Sequence, residues 1–313
     1  MQVIVVGSFN VDHVWTASTL PAPGETLAGT YRSGPGGKGF NQAVAAARSG
    51  ADTTFVCALG QDVGGQIARA LATADAIDLR DAISDAATGT AGIHVDAAGR
   101  NSIVIGAGAN ATLSIAHLDA QRACIASATV MLVQLESPLD AIAHALRVAQ
   151  AAGCLAMLNP APANAVTTGT LLAACDVLTP NETELAALLA RHAGVQLDAA
   201  SIASLDDRTL HAHCRAVLPH GTVVVTLGAA GCFVSHADAW RGDAAPAYRV
   251  AAPSVDAIDT TGAGDAFNGA LASALAQRTD AAFADHVAFA VRYASASTTA
   301  AGAAEAMPRL RAG

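Results

Sequence analysis

Charged and aromatic side chains are scarce in this chain, and basic residues are the scarcer of the two charge types. Of 313 residues only 14% are charged and 4% aromatic, and 17 Lys and Arg stand against 26 Asp and Glu, a formal net charge of −9. A surface that binds nucleic acid needs a basic face to neutralise phosphates. The composition therefore excludes a nucleic-acid partner, and any phosphate that the protein binds must be held by a local site.

Three further features are missing from the sequence. The six cysteines form no C-x-x-C pair, no uninterrupted apolar run is long enough to span a bilayer, and no basic leader with a cleavage site precedes the first apolar residues. Cysteines in apolar stretches are typical of small buried side chains in a reducing compartment. We therefore expect a cytoplasmic protein with no membrane segment.

The chain is rich in apolar residues, which follow alternating strand and helix patterns. Apolar residues make up 52% of the sequence, enough for a large core. We predict strands at 2–6, 53–58, 129–135, 154–159, 175–179 and 222–227, and helices at 63–74, 115–126, 138–152, 181–191 and 205–218. This alternation predicts a single α/β domain over residues 1–313, with a doubly wound, mainly parallel sheet flanked by helices.

Two segments interrupt this alternation, residues 14–33 and residues 91–106. The first contains two prolines and two glycines without a helical pattern, and the second indicates a β-hairpin. Together they predict a small β-sheet over the binding site, which would act as a lid or as a homodimer contact.

Polar side chains follow the ends of several predicted strands. Asn10 and Asp12 come just after the first strand, where they are suited to bind sugar hydroxyls or to cap a turn. The others are Glu136, Asn159, Asn181 and Glu184. Each of these could be an independent helix cap, but three equivalent strand ends favour a shared ligand-binding rim.

A glycine-rich turn at residues 34–39 precedes a predicted helix. It matches G-x-G-x-x-G, but that dinucleotide-binding motif should follow the first strand of its unit, which here ends at Gly7. It is not a P-loop either, because Gly39 occupies the place of the Ser or Thr that would hold magnesium. What the motif indicates is a close backbone approach to a small ligand, with Gly37, Lys38 and Asn41 beside it.

The stretch from Asp259 to Leu271 predicts a glycine turn that begins a helix. Its unpaired N–H groups and the positive end of the helix dipole would hold an anion such as a phosphoryl group under transfer. Asp265 lies at the same helix end, where we expect its carboxylate to stay ionised and to take a proton from an attacking hydroxyl. The alternative is that Asp265 only caps the helix.

A second glycine turn, residues 227–231, lies between two strand-like segments. Such a loop can lie against a nucleotide, and by itself it is also an ordinary hairpin signal. These motifs together resemble the ribokinase family of carbohydrate kinases over essentially the whole chain. The matching segments are 7–13, 23–26, 36–46, 108–111, 134–138, 159–162, 179–184 and 259–265.

The resemblance implies ATP-dependent phosphorylation of the O5 hydroxyl of D-ribose. By similarity, the sugar would be held by Asn10, Asp12, Gly37, Lys38, Asn41 and Glu136. Asp265 would be the catalytic base, and Gly262, Ala263 and Gly264 would form the anion hole.

The resemblance also implies a nucleotide site and two cation sites. The nucleotide would contact Asn181, Thr226, Gly228, Gly231 and Gly264, and Glu184 would organise Mg²⁺ through water. The expected K⁺ ligands are Asp259, Thr261, Ser297, Ala300 and Gly302. A homodimer through the small sheet is expected as well.

Two positions depart from the family pattern. Val291 replaces a histidine that often lies beside the adenine, so the contact there would be apolar. Ala306 replaces a serine that can offer its hydroxyl to potassium, which weakens the expected activation by this ion. The open alternatives are a 2-deoxyribose or nucleoside kinase of the same family, a non-catalytic sugar-binding protein of this fold, and a NAD-dependent enzyme built on residues 34–39.

Overall fold

The computed structural model describes residues 2–237 and 242–310; the remainder of the predicted range 1–313 lies outside the described residues. The strands are β1 Gln2–Val6, β2 Asn10–Thr16, β3 Thr30–Gly36, β4 Asp52–Gly60, β5 Asp78–Ser84, β6 Gly89–Val95, β7 Asn101–Gly106, β8 Val130–Val133, β9 Leu155–Leu158, β10 Val177–Leu178, β11 Thr222–Thr226, β12 Cys232–Ser235 and β13 Ala247–Val250. The helices are α1 Lys38–Arg48, α2 Val63–Ala74, α3 Ile115–Ala120, α4 Arg122–Ser127, α5 Leu139–Ala152, α6 Gly169–Leu172, α7 Glu182–His192, α8 Ala199–Ile202, α9 Asp207–Val217, α10 Ala263–Gln277 and α11 Phe283–Ser297.

The main sheet has nine strands in the order β13-β12-β11-β10-β9-β8-β1-β4-β5. Its pairs are parallel except those of β12 with β11 and β13. The fold class predicted from the sequence is thereby confirmed. From β1 the chain first builds β4 and β5 on one side and then crosses to β8 on the other, so the strand order reverses between β1 and β8. The carboxyl ends of strands at such a reversal are where open α/β sheets bind ligands.

The core lies in two layers, because the sheet is covered by helices on both faces. Val3 and Val5 pack into the layer formed with α1, α2, α10 and α11, while Ile4 and Val6 pack into the layer formed with α3 to α9. All four side chains are fully buried. Burial of one such aliphatic side chain contributes about 1.5–3 kcal/mol, so the apolar strands fix the sheet on which the site is built.

Helices α1 and α10 pack closely in the same direction. Asn41 contacts Asp265 near their first turns and Ser49 contacts Gln277 at their far ends. Gly269 allows the close approach, since a Cβ there would overlap the carbonyl oxygen of Gln42. The packing therefore brings the N-termini of both helices to the same edge of the sheet.

The second sheet has four strands in the order β3-β2-β6-β7. We expected Asn10 to His13 to be a loop at the end of the first strand, but these residues begin β2, which pairs with β3 on one side and β6 on the other. The extended pairing on both edges outweighs their turn-forming character. Asp12 therefore projects from a strand of the small sheet.

Other differences from the predicted elements are small. The helix expected at 115–126 is two short helices, α3 and α4, that meet at Gln121. The edge strand β5 was missed because its Asp and Arg side chains conceal the strand pattern. Within residues 2–237 and 242–310, no helix combines the length and the apolar character needed to cross a bilayer.

Candidate active site

Gly262 is the N-cap residue of α10. Its backbone is in the left-handed region, φ 74°, and a Cβ there would lie 3.0 Å from the Cβ of Ala303. In the described chain the N–H groups of Gly262 and Gly264 have no hydrogen-bond acceptor, while that of Ala263 donates to the Thr260 carbonyl at 3.2 Å. The turn therefore presents two free donors together with the positive end of the helix dipole.

Asp265 lies in the first turn of α10 and is only 7% exposed. Its Oδ1 accepts a hydrogen bond from Gln42 Nε2 and its Oδ2 one from Asn41 Nδ2, both at 2.9 Å. Both donors belong to the first turns of α1. The carboxylate is therefore not a helix cap: no side-chain hydrogen bond caps α10, and Asp265 instead bonds across to the neighbouring helix.

Burial affects the pKa of Asp265. Desolvation raises the pKa of this carboxyl, and the opposing effects of Lys38 and of the Asn41 and Gln42 amides do not cancel it. Burial therefore opposes the helix dipole, which we expected to keep Asp265 ionised, because the two effects act on its pKa in opposite directions. A raised pKa makes the carboxylate a better proton acceptor near neutral pH.

Buried amides continue from Asp265 to the ends of β8 and β9. Gln42 Nε2 also donates to Asn159 Oδ1 at 3.1 Å, and Gln134 Nε2 donates to Gln42 Oε1 at 2.5 Å. Asn41 Oδ1 and Gln134 Oε1 are buried and have no hydrogen-bond partner among the described residues. Since a buried acceptor is costly to leave unpaired, the Asn41 oxygen beside Asp265 indicates a position for a ligand hydroxyl.

Glu136 joins the end of β8 to the start of α1. Its Oε2 accepts hydrogen bonds from Ser8 Oγ at 2.6 Å and from the Lys38 backbone N–H at 3.0 Å. Burial disfavours the charged form of Lys38, but Asp265, Glu136 and Glu184 together raise its pKa. Lys38 is therefore a cation among three acidic groups.

Asn10 and Asp12 approach the same place from the small sheet. Asn10 Oδ1 accepts from Asn110 Nδ2 at 2.9 Å. Gly37, with φ 86°, lies against the backbone, because a Cβ there would be 2.8 Å from the Asn10 nitrogen. Burial, and then the Glu136 charge, raise the pKa of Asp12 to about 6. The predicted sugar residues are thus brought together from three distant segments of the chain.

A cleft of about 570 Å³ lies on the other side of the α10 N-terminus. Its lining includes the residues predicted for the nucleotide together with apolar side chains: Asn181, Thr226, Gly228, Gly231, Ala257, Ala263, Gly264, Phe267 and Val291. A Cβ on Gly228 or Gly264 would meet no protein atom within 4 Å. These two glycines therefore leave room for a ligand.

Asn181 and Glu184 form a capping box at the start of α7. Asn181 Oδ1 accepts from the Glu184 N–H at 2.8 Å, and Glu184 Oε2 accepts from the Asn181 N–H at 2.9 Å. Glu184 Oε1 accepts from no described residue, and burial raises the pKa of this carboxyl. One oxygen thus remains for a metal-bound water.

The residues expected around potassium lie in two adjoining segments. Asp259 Oδ1 accepts from the Thr261 N–H and its Oδ2 from the Gly302 N–H, both at 2.9 Å. Ser297 and Ala300 precede Gly302, and the Ser297 hydroxyl donates a hydrogen bond to the Ala294 carbonyl. No group of three acidic, His or Cys side chains that could hold a metal occurs among the described residues. One carboxylate with nearby backbone carbonyls fits a singly charged hard cation.

Sequence reasoning missed the residues that support this site: Ser8, Gln42, Asn110 and Gln134. Ser8, Asn110 and Gln134 lie within the motifs quoted above, as does Gln42, which follows Asn41 directly. Their position within those motifs is the feature of the sequence that could have identified them. The combination of a buried carboxylate, free N–H groups at a helix end, a polar pocket and an adjoining cleft defines the class of small-molecule phosphotransferases.

Comparisons with known proteins identify the family. The model of the pfkB family of carbohydrate kinases matches residues 1–310. A ribokinase of Haemophilus influenzae is 37% identical over 308 residues, 97% of this chain and 94% of the relative. A deoxyribokinase of Salmonella typhimurium is 32% identical over 318 residues, 99% of this chain and 96% of the relative. The chain therefore belongs to the pfkB family of carbohydrate kinases.

A solved structure gives the same fold. Arabidopsis thaliana ribokinase, complexed with ribose and ATP, superposes with a TM-score of 0.82 and 28% sequence identity, over 98% of this chain and 95% of that chain. The long sheet and the small four-stranded sheet of this protein are thus those of a kinase fold.

Proposed function

We propose that this protein transfers the γ-phosphoryl group of ATP to the O5 hydroxyl of D-ribose, giving ribose 5-phosphate and ADP. The observation that carries the proposal is the position of Asp265. It lies between the free N–H groups of Gly262 and Gly264 and an acceptor pocket that contains the unpaired Asn41 oxygen. The ribokinase relative and the structure with ribose and ATP support this choice of substrates.

The reaction follows from this geometry. Asp265 takes the proton of the O5 hydroxyl as O5 attacks the γ-phosphorus, and the bond from that phosphorus to the bridging oxygen of ADP breaks. The Gly262 and Gly264 N–H groups, with Ala263 between them, stabilise the charge on the oxygens in transfer. Lys38 adds a positive charge on the acceptor side, where the Asp265 carboxylate is among the charges that raise its pKa against the effect of burial.

The acceptor would be oriented by side chains and the donor by backbone. We assign the ribose hydroxyls to Asn10, Asp12, Gly37, Asn41 and Glu136. The adenine and phosphates of ATP would occupy the 570 Å³ cleft beside Asn181, Thr226, Gly228 and Gly231. This division suits a reaction that depends on positioning more than on covalent chemistry.

Two cations complete the proposal. Glu184, with one free oxygen, would hold Mg²⁺ through water, and Mg²⁺ supplies charge neutralisation on the nucleotide phosphates when bound. Asp259, Thr261, Ser297, Ala300 and Gly302 would hold K⁺ behind the anion-hole turn. The hydroxyl that Ala306 lacks makes this site weaker than a serine-containing one.

The small sheet would act as a lid and as the contact of a homodimer. Its large apolar side chains are exposed, among them Trp15, Tyr31, Ile103, Val104 and Ile105. Exposed apolar side chains on a sheet usually require a covering surface. Sedimentation velocity tests this part: a dimer in the parent chain and a monomer in Val104→Asp are expected, and a parent monomer would contradict it.

A second acceptor is a specific alternative, because a relative of similar identity is a deoxyribokinase. The two sugars differ by one hydroxyl, and loss of its hydrogen bonds to buried partners costs about 1–3 kcal/mol. The test is coupled ADP release with ATP and Mg²⁺ for D-ribose, 2-deoxyribose, adenosine and fructose, each with and without KCl.

We expect the highest kcat/KM with ribose and a modest increase with KCl. A preference for 2-deoxyribose would leave the proposed phosphoryl transfer unchanged but would replace D-ribose as its acceptor. Sugar binding without ADP release from any acceptor would instead support the non-catalytic binding protein.

A further inference from the structure

Arg48 is the last residue of α1 and donates five hydrogen bonds, although it lies outside both ligand pockets. Its Nε and Nη2 each donate to one carboxylate oxygen of Asp75 at 2.9 Å. Its Nη1 donates to the carbonyl oxygens of Ala304, Glu305 and Met307 at 3.0, 3.2 and 3.0 Å. The side chain is 13% exposed and that of Asp75 is 3% exposed. The Arg48 guanidinium therefore links the backbone of segment 304–307 to α1 through three hydrogen bonds.

This segment adjoins the residues that support the anion-hole turn. The Gly302 N–H donates to Asp259 Oδ2 at 2.9 Å. Ala303 lies directly against Gly262, since a Cβ on Gly262 would be 3.0 Å from the Ala303 Cβ. Movement of segment 302–307 would thus be transmitted to the turn that presents the Gly262 and Gly264 N–H groups.

We propose that Arg48 is a positioning residue for phosphoryl transfer: it fixes segment 302–307 behind the α10 N-terminus and so holds the anion-hole N–H groups in place. This inference rests on the proposed function. Arg48 does not touch the acceptor site, because it lies ten residues beyond Lys38 on α1, about 15 Å along the helix. Its effect on catalysis must therefore pass through the segment that it holds.

The chemistry of the side chain explains why arginine is needed. A planar guanidinium can bind a carboxylate through two donors and still present a third nitrogen to carbonyl groups, whereas an ammonium has three donors at one point. Asp75 also accepts from Arg309 Nη2 at 2.5 Å, so its charge stays paired when Arg48 is changed. We expect Arg48→Lys not to restore the parent kcat.

The test compares Arg48→Met with two control variants. Arg69→Met removes another Arg–Asp pair, that with Asp81 at 2.6 Å, on the far edge of the sheet. Arg309→Met removes the second partner of Asp75 but leaves the three carbonyl bonds of Arg48 intact. We expect kcat to fall about ten- to a hundredfold in Arg48→Met, with KM for ribose within about threefold, because small displacements of catalytic groups act on kcat. Both controls should stay within about twofold of the parent.

Two further measurements distinguish a loss of positioning from simple misfolding of the variant. Ala303→Gly keeps all five Arg48 bonds and removes only the methyl group that lies against Gly262, and it should lower kcat about threefold or more. Hydrogen exchange of the 259–266 amides should be faster in Arg48→Met than in Arg69→Met.

A kcat within twofold of the parent in both Arg48→Met and Ala303→Gly would overturn the inference, as would unchanged exchange at residues 259–266. Absence of ADP release from the parent chain would contradict the proposed function instead, and the exchange result would still decide the role of Arg48.

Discussion

The acceptor side and the nucleotide side of this site are built in opposite ways. On the acceptor side, Asp265 accepts hydrogen bonds from the Asn41 and Gln42 amides, and Gln42 in turn bonds to Asn159 and Gln134. On the nucleotide side, a cleft of about 570 Å³ is lined largely by glycines, alanines and apolar side chains. Ligand binding on the acceptor side therefore depends on the identity of the side chains, whereas binding on the nucleotide side depends on the shape of the backbone.

This difference indicates where specificity lies. A buried network that leaves acceptor atoms unpaired, here Asn41 Oδ1 and Gln134 Oε1, rejects ligands that cannot supply the missing donors. An apolar cleft with backbone donors discriminates less, and Val291 adds only apolar contact. We therefore expect strict acceptor recognition and tolerant nucleotide recognition, and four predictions test this contrast.

The largest effect is expected for Asp265→Asn. The substitution removes the proton acceptor but keeps the shape of the side chain, so kcat should fall about a thousandfold or more while ribose still binds. Coupled ADP release and calorimetry with ribose measure the two effects. Asp140→Asn, at the first turn of α5, is the matched control and should be neutral. Turnover like that of the parent would exclude Asp265 as the base.

Asn41→Ala should affect the acceptor side alone. It removes a donor to Asp265 and the unpaired oxygen, so the Kd for ribose should rise about ten- to a hundredfold, with the Kd for ATP within about twofold. Gln277→Ala removes an amide from the other end of the α1–α10 pair and serves as the control. Equal losses of ribose and ATP affinity would contradict the separation of the two sides.

The pH dependence of kcat/KM should reflect the raised pKa of Asp265. The base acts only when deprotonated, so activity should fall on acidification at a pH above the ordinary aspartate range near 4. The Lys38 charge lowers the pKa of Asp265, so Lys38→Met should move the acid limb to higher pH. Profiles from about pH 4.5 to 8 test this sign, and a limb that moves to lower pH would refute it.

The smallest effect is expected for Gly228→Ala. A Cβ there enters the cleft without touching protein, so KM for ATP should rise about three- to tenfold while the Kd for ribose stays constant. Gly153→Ala is the control, because Gly153 also has positive φ and open space but ends the remote helix α5. An identical rise in KM for ATP in both variants would mean that backbone strain, not the cleft, is responsible.

The sequence predicted the parts of the molecule whose signals are local. Apolar strands, the glycine turn before α1 and the start of α10 follow from neighbouring residues, and they appear in the structure. The parallel arrangement of α1 and α10 depends on contacts between residues far apart in the chain, such as Gly269 with Gln42. The relay through Gln42 and Gln134 was missed for this reason.

The direction of the pKa shift of Asp265 could not be predicted from the sequence. A helix N-terminus alone lowers the pKa of a carboxyl, but desolvation raises it and depends on what covers the group. The loop expected around Asp12 is a strand in the structure, because β2 forms only through its pairing with β3 and β6. Burial and long-range pairing are properties of the folded chain.

The most direct test of the account is phosphorus and carbon NMR of the product formed from ATP, Mg²⁺ and D-ribose, with the parent chain and Asp265→Asn side by side. We predict a phosphate ester on C5 of the sugar, formed by the parent and nearly absent with the variant. A phosphate on another carbon, or equal product from the two proteins, would contradict the assignment of Asp265 as the base that activates O5.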